Sequence, residues 1–189
     1  MGTAIGQSIK RVENPRLITG EARYMDDIKL PGMAYAAILR SPHAHARIRN
    51  INANEAAALP GVIGVFTGKD FEELPALPCA WQAAAGRIPN NVNTPRVLET
   101  DRVTFTGASV AVVVAERRDI AEDALALIEV DYEPLPMVVD AEEAARPGAP
   151  QIHEKASNNI VMEWECGEAA ATDQALANAE VRIQQRLRT

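Results

Sequence analysis

The sequence predicts an α+β fold with a mixed sheet and short helices. Three stretches carry this prediction. Residues 110–115 form a continuous apolar run, which is typical of a central strand that is covered on both faces. Residues 119–128 place apolar side chains on one helical face, and residues 130–132 alternate as a following strand. Strands and helices follow one another without a repeating strand–helix–strand rhythm, which argues against a doubly wound sheet.

The first half of the chain contains three predicted strands around one short helix. Residues 33–41 are mostly small and apolar, which predicts a buried strand, and residues 43–51 alternate as a half-buried strand. Asn54 is placed to cap a short helix. Residues 62–66 then predict a strand, followed by the turn TGKD. Residues 74–96 are rich in proline and predict a long irregular loop.

The second half of the chain contains two further predicted strands, the most regular predicted helix, and a stretch with two prolines where the chain is expected to leave the sheet. Two strand-like pieces are separated by Gly107, and Asp119 with Glu122 resembles a capping box at the start of the helix. Pro134 and Pro136 flank a single leucine and donate no amide hydrogen bond, so this stretch is expected to leave the sheet as an extended edge or crossover. Further along, the pattern predicts a brief helix and turn, a strand, a short helix and a terminal strand, at 141–150, 158–167, 172–179 and 181–189.

Composition excludes several classes of function. The net charge is −7 and the 19 lysines and arginines are scattered, so nucleic acid is not an expected partner. No apolar run approaches the roughly 20 residues of a membrane span, and the N-terminus lacks the apolar core of a signal peptide, so the chain is expected to be cytoplasmic. Cys79 and Cys166 are too few for an iron–sulfur cluster or a four-cysteine zinc site.

The candidate metal ligands are His43 and His45. Alternation in a strand places both imidazoles on one side, close enough to share a metal if a third ligand arrived. Arg47 and Arg49 fall on the same predicted face and would repel a cation. A solvated or interfacial strand face is therefore the favoured interpretation.

The other candidates are also more simply structural. Cys79, beside Trp81 in the predicted loop, has no positioned base that would make it a nucleophile. Adjacent carboxylates point apart and make poor acid–base pairs; these are Asp26 with Asp27, Asp70 with Glu72 and Glu73, and Glu142 with Glu143. Gly61, Gly64 and Gly68 match no phosphate-loop spacing, and the Lys69 turn lacks the symmetry of a lipoyl or biotinyl carrier. We therefore predict no catalytic, cofactor-binding or metal-binding residue, and a chain that supplies shape and surface to a larger assembly.

Several stretches, taken together, resemble one family. RVENPRLITGEARYMDDIKLPGMAYAAILRSPHAHARI, PGVIGVFTGKD and VTFTGASVAVVVAERRDIAEDALALIEVDYEPLPMVVDAEEA are similar to the N-terminal α/β hammerhead domain of the molybdenum hydroxylase large subunit, the family of xanthine dehydrogenase, aldehyde oxidase and aerobic carbon monoxide dehydrogenase. The resemblance runs from about Ile9 to Thr189. One departure is Gly107-Ala108-Ser109, where the family usually has Gly-Glu-Pro or Gly-Gln-Pro, which puts a family contact there in doubt but not the fold.

The resemblance implies an oxidoreductase that acts on an aldehyde, an N-heterocycle or CO. Molybdopterin cytosine dinucleotide and a glutamate base are expected on domains that follow the hammerhead, with [2Fe–2S] clusters and FAD elsewhere in the complex. No cofactor is expected on this chain alone. We expect residues 1–189 to form a single hammerhead domain, with a linker-like crossover near 134–150 and a segment, 151–189, leading toward the molybdenum domain.

The implied partners are a molybdenum-binding domain or subunit, an iron–sulfur subunit and a flavin subunit, with self-association as a further expectation. The compact RVENPRLITG start favours the three-subunit, carbon monoxide dehydrogenase-like branch. The chain would be a split subunit, a truncated product or an excised domain. The alternative is a free-standing hammerhead module that binds or scaffolds without redox chemistry. A small hydrolase using Cys79 with His43 or His153 is a third interpretation.

Overall fold

Six strands form two small antiparallel sheets in the computed structural model, which describes residues 5–74, 96–161 and 167–185. The first sheet has the order β1-β5-β3 and the second β4-β2-β6. The strands are β1 (Tyr35–Arg40), β2 (Ala46–Asn52), β3 (Val62–Thr67), β4 (Arg102–Val103), β5 (Ser109–Ala115) and β6 (Glu129–Pro134). The α-helices are α1 (Asn14–Ile18), α2 (Asn54–Ala58), α3 (Arg118–Leu125), α4 (Ala141–Ala144) and α5 (Ala169–Ala177).

The larger core lies between the first sheet and helices α2 and α3. The inward-facing residues of β5 are Ala111, Val113 and Ala115, and all three are fully buried. Ala121 and Ala124 of α3 meet them with side chains that are also fully buried. Because both surfaces are built from small residues, the helix approaches the sheet closely. The predicted central strand and the predicted helix are therefore confirmed, and they form the centre of the same core.

A second, smaller core lies against the second sheet. It consists of Ala46, Val103, Ala108 and Val110, all of which are fully buried. Val110 belongs to β5 of the first sheet, whereas Ala46 belongs to β2 of the second. This cluster therefore joins the two sheets at the beginning of β5.

The described strand pairs are all antiparallel, so the expectation of a mixed sheet is wrong although the α+β class is confirmed. The reason lies in the helical connections. Helix α2 links β2 of the second sheet to β3 of the first, and α3 links β5 of the first to β6 of the second. Each crossover changes sheets, so neither places two parallel strands side by side.

Both predicted helix caps are wrong in detail. Asn54 is the first residue of α2, whose cap position is Ala53, and the amide of Asn54 donates to Asn52 Oδ1 at 3.3 Å. Helix α3 begins at Arg118, and the Asp119 carboxylate is engaged by Arg117, with a 3.0 Å contact from Nε to Oδ1. The ion pair between Arg117 and Asp119 replaces the predicted capping box.

The segments that follow β6 agree only in part. The short helices α4 and α5 confirm the two helix predictions. Residues 181–185 have no regular structure, so a strand there is wrong over that range, since no other described strand pairs with it. Most of the predicted loop, 75–95, and the middle of the predicted strand at 158–167 lie outside the described residues.

Candidate functional site

Two distant stretches of sequence meet at one end of the second sheet. Strand β2 pairs with β6 in antiparallel register, with Ala46 opposite Pro134 and Ile48 opposite Tyr132. This pairing brings residues 41–47 against residues 129–136. Both stretches were singled out in the sequence, and the fold places them in direct contact.

His45 holds the end of β6 and the residues that follow it in place. Pro134 ends the edge strand, and the Leu135 amide still donates to the His45 carbonyl at 3.0 Å. The imidazole Nδ1 of His45 lies 2.7 Å from the Pro136 carbonyl oxygen. Because a carbonyl can only accept, Nδ1 carries the proton in this bond. The prediction that the chain leaves the sheet from an extended edge is confirmed, and His45 is the residue that anchors the exit.

His43 and Ser41 form the other side of this contact. The His43 ring lies against the Tyr132 ring, with 4.9 Å between centroids and 60° between planes. The Ser41 hydroxyl donates to the His43 carbonyl and accepts from the His43 amide, both at 3.0 Å. The backbone amide of Ser41 donates to the carbonyl of Ala108, in the turn before β5, at 2.8 Å. These bonds fix the path of the chain between β1 and β2.

The Tyr132 hydroxyl is buried beside this network. It makes no hydrogen bond within the described part of the chain. Burial raises the pKa of the Tyr132 phenol, and the neighbouring Ser41 side chain offsets part of that rise. The ring therefore acts here as packing surface.

The prediction that His43 and His45 share one strand face with Arg47 and Arg49 is wrong. His45 is 6% exposed, whereas Arg47 and Arg49 are exposed and turn toward Glu133 of β6. The closest contact, between Arg49 Nη2 and Glu133 Oε2, is 2.6 Å. Strand β2 begins only at Ala46, so the two-residue period does not extend back to the histidines. Glu133 also neutralises the positive field that the sequence predicted.

His153 is a further residue of this region. The charge of His45 and, above all, burial lower the pKa of the His153 imidazole. The neighbouring Glu154 reaches Arg102 of β4, with 3.2 Å between Oε1 and Nη2. Sequence reasoning paired His153 only with Cys79, in a hypothetical hydrolase. No local signal connects it with His45, because their proximity depends on how the segment after α4 returns to the second sheet.

The other candidate residues that the structure describes either make structural contacts or are exposed. Asp27 accepts from the Tyr24 amide at 2.8 Å, and Asp26 lies 3.3 Å from Arg118. Asp70 accepts from the Thr67 amide at 2.6 Å, and this bond lowers the pKa of the Asp70 carboxyl. The remaining carboxylates, Glu72, Glu73, Glu142 and Glu143, are exposed. Cys79, Trp81 and Cys166 lie outside the described residues.

The described residues form a small cavity beside β2 and a larger, open groove of about 810 Å³ along residues 137–150. A cavity of about 70 Å³ is lined by residues of β2 and of the turn after β3, among them Arg49, Asn50, Thr67 and Lys69. Over the described ranges, no group of three or more histidine, cysteine or acidic side chains could hold a metal ion. The same ranges contain no helix long and apolar enough to cross a membrane.

Comparison with known proteins identifies the family. The family model described as "Aldehyde oxidase and xanthine dehydrogenase, a/b hammerhead domain" matches residues 19–136. The carbon monoxide dehydrogenase large chain of Afipia carboxidovorans is 40% identical over 94% of this chain and 22% of its own length. The xanthine dehydrogenase molybdenum-binding subunit of Escherichia coli O157:H7 is 38% identical over 76% of this chain and 19% of its own.

A solved structure gives the same result. The CO dehydrogenase of Oligotropha carboxidovorans superposes with a TM-score of 0.72 at 38% identity, covering 93% of this chain and 22% of that one. The chain thus spans about a fifth of the length of the curated relatives it matches. It belongs to the aldehyde oxidase and xanthine dehydrogenase family, and the part of that family it carries is the hammerhead domain.

Proposed function

We propose that this chain is a non-catalytic part of a molybdenum-containing hydroxylase or dehydrogenase that acts on an aldehyde, an N-heterocycle or CO. In this role it covers the molybdenum domain and contacts neighbouring subunits. The observation that carries the proposal is that relatives named for CO and for xanthine share this piece at similar identity. A piece common to enzymes with such different substrates is suited to a shared architectural task and not to substrate choice.

The described residues do not fit a molybdopterin dinucleotide. The cavity of about 70 Å³ beside β2 is far below the roughly 300 Å³ at which ordinary ligand pockets begin, and the groove of about 810 Å³ along residues 137–150 is open to solvent and would leave most of a dinucleotide uncovered. The Nε2 atom of His45 is buried without a hydrogen-bond partner in the described ranges, but the same ring is held by its Nδ1 bond to the Pro136 carbonyl. We therefore assign the cofactor to other parts of the complex, together with the [2Fe–2S] clusters and FAD.

The proposal includes the organisation of the chain. Residues 1–189 form a single hammerhead domain, residues 134–150 the crossover, and residues 151–189 a segment that leads toward the molybdenum domain. The bridge between Glu154 and Arg102 supports the single domain, since it ties the segment after the crossover back to the second sheet. The proposed partners are a molybdenum-binding domain or subunit, an iron–sulfur subunit and a flavin subunit, in the cytoplasm.

The test is capture of the tagged chain, expressed from its own gene in its source organism. Molybdenum, iron and flavin are then measured in the captured material, and the tag alone serves as control. We expect molybdenum, iron and flavin in near-stoichiometric amounts. Material that is free of all three, at normal yield of the chain, would contradict the proposal and favour a free-standing hammerhead module.

A further inference from the structure

One face of the first sheet is apolar and is not covered by any part of the chain that the structure describes. Register places Ile38 of β1, Val112 of β5 and Phe66 of β3 directly opposite one another across the three strands. Ala36, Val114 and Gly64 form the next row. We call these six residues the outer face. Side chains opposite one another on neighbouring strands lie about 5 Å apart, so each row is continuous.

The opposite face of the same strands is the one that helices α2 and α3 cover. Leu39, Val113 and Val65 belong to the larger core, and successive residues of a strand point to opposite sides. The side chains of the outer face therefore point away from both helices. Ile38 is 43% exposed and Phe66 37% exposed, while Val112 and Val114 of the central strand are half-buried.

The sequence of β5 is typical of a strand that is buried on both faces. Strand β5 reads SVAVVVA, with valines on the outer face as well as on the inner face. A strand with one solvated face normally alternates apolar and polar residues, whereas a continuous apolar run is typical of a strand that is buried on both sides. The described chain supplies one cover only, so the sequence of β5 is suited to a neighbour that the described residues do not include.

The outer face is partly aromatic, and none of its six residues is charged. The Phe66 ring lies across Gly64, where an added Cβ would be 3.0 Å from the ring, so the glycine provides the space that the ring occupies. Phe71 extends this aromatic surface, with 6.2 Å between ring centroids. Arg40 at the edge of the face is turned aside, and its guanidinium donates to the Gly107 carbonyl at 2.9 Å. A charged or nucleic-acid partner is therefore a poor match for these rows.

We infer that the outer face is the docking surface for an apolar patch of the remaining polypeptide of the large chain. This inference rests on the proposed function and names the surface through which it is exerted. The relatives support this occupant by their length, because the stretch they share with this chain is only 22% and 19% of their own residues. About four fifths of each relative thus lies outside the shared stretch, which is polypeptide enough to supply a patch that covers six residues.

Photo-crosslinking at position 66 identifies the occupant. Phe66 is replaced with a benzophenone amino acid in the protein expressed from its own gene, at its own length and with its native partners, and the crosslinked peptides are sequenced. We expect crosslinks to large-chain sequence beyond the 189 residues. Crosslinks to residues 75–95, to a second copy of the chain or to a different protein, or none at all, would overturn the inference.

Matched substitutions measure how much the face contributes. Ile38→Asp and Phe66→Asp are compared with Val139→Asp, which changes a residue that is 82% exposed away from the outer face. We expect the two face variants to lose at least ten-fold of the captured molybdenum per chain and the control to stay within two-fold. Equal retention by all three variants contradicts docking through this face. Thermal unfolding of each variant checks the fold, and the crosslink decides the matter if an aspartate variant does not fold.

The two proposals fail in different ways. If the wild-type chain captures no molybdenum, the proposed function is wrong, whatever the crosslink shows. If it captures molybdenum but position 66 crosslinks elsewhere, the function stands and the docking surface is wrong.

Discussion

The imidazole of His45 and the carbonyl of Pro136 are joined by a 2.7 Å hydrogen bond across 91 positions of sequence. One residue earlier on that side, the Leu135 amide donates to the His45 carbonyl. A single histidine thus holds the chain exit by backbone and side chain together. The prolines on either side of Leu135 explain why a side chain is needed, since they remove the amides that a sheet would otherwise use.

Replacing His45 tests this anchor. His45→Ala removes a buried donor and leaves a cavity, so we expect a loss of about 2–3 kcal/mol in the free energy of unfolding. His45→Asn keeps an N–H near the position of Nδ1 and should recover about 1 kcal/mol of that loss. Urea denaturation of the three proteins at pH 7.5 is the measurement. Equal losses in both variants would show that the Pro136 bond contributes little.

The pKa of His153 predicts a dependence of stability on pH. Burial and the charge of His45 lower this pKa below its ordinary value of 6.5, so the folded state favours the neutral imidazole. The contribution is fully present above pH 6.5 and is lost as the pH falls, because the unfolded chain takes up the proton first. We expect His153→Gln to flatten the change in urea midpoint between pH 7.5 and 5. An unchanged slope in the variant would assign the dependence to other groups.

Local pattern was enough to predict the elements that form the core. The apolar run of β5 and the one-sided apolar pattern of α3 are short-range signals, and both elements occur where the sequence predicted them. The roles of His45 and His153 could not be predicted in the same way. Alternation placed His45 with Arg47, because nothing in the sequence marks Ala46 as the start of β2. The partners of both histidines are distant in sequence and are fixed only by the fold.

Gly68 is expected to tolerate no side chain. A Cβ there would lie 2.5 Å from the Glu99 carbonyl oxygen and 2.7 Å from Thr100 Cγ2, and a backbone atom cannot rotate away. We expect Gly68→Ala to cost about 2–3 kcal/mol of unfolding free energy, as overpacking does elsewhere. Gly107→Ala is the comparison, since it has open space but a φ of +94°, and should cost about 1–2 kcal/mol through backbone strain alone. The reverse order in denaturant titrations would contradict the close approach at Gly68.

Adjacent valines of β5 separate the stability of the fold from docking. Val113 is fully buried in the larger core, whereas Val112 is half-buried on the outer face. We expect Val113→Ala to lower the free energy of unfolding of the isolated chain by about 2 kcal/mol, because its methyl groups leave a cavity. Val112→Ala should cost less than about 1 kcal/mol, since its methyl groups are partly solvated there.

In the captured complex we expect the opposite ranking of the two variants, with Val112→Ala having the larger effect on the molybdenum retained. Val112→Ala should reduce the molybdenum retained per chain during a salt wash, because it removes apolar contact from the proposed interface, while Val113→Ala should leave that ratio unchanged in the fraction that is folded. Both variants make the same chemical change one residue apart on one strand. Identical behaviour in both assays would therefore mean that the two faces of β5 are equally covered in the isolated chain, and that the outer face has no docking role.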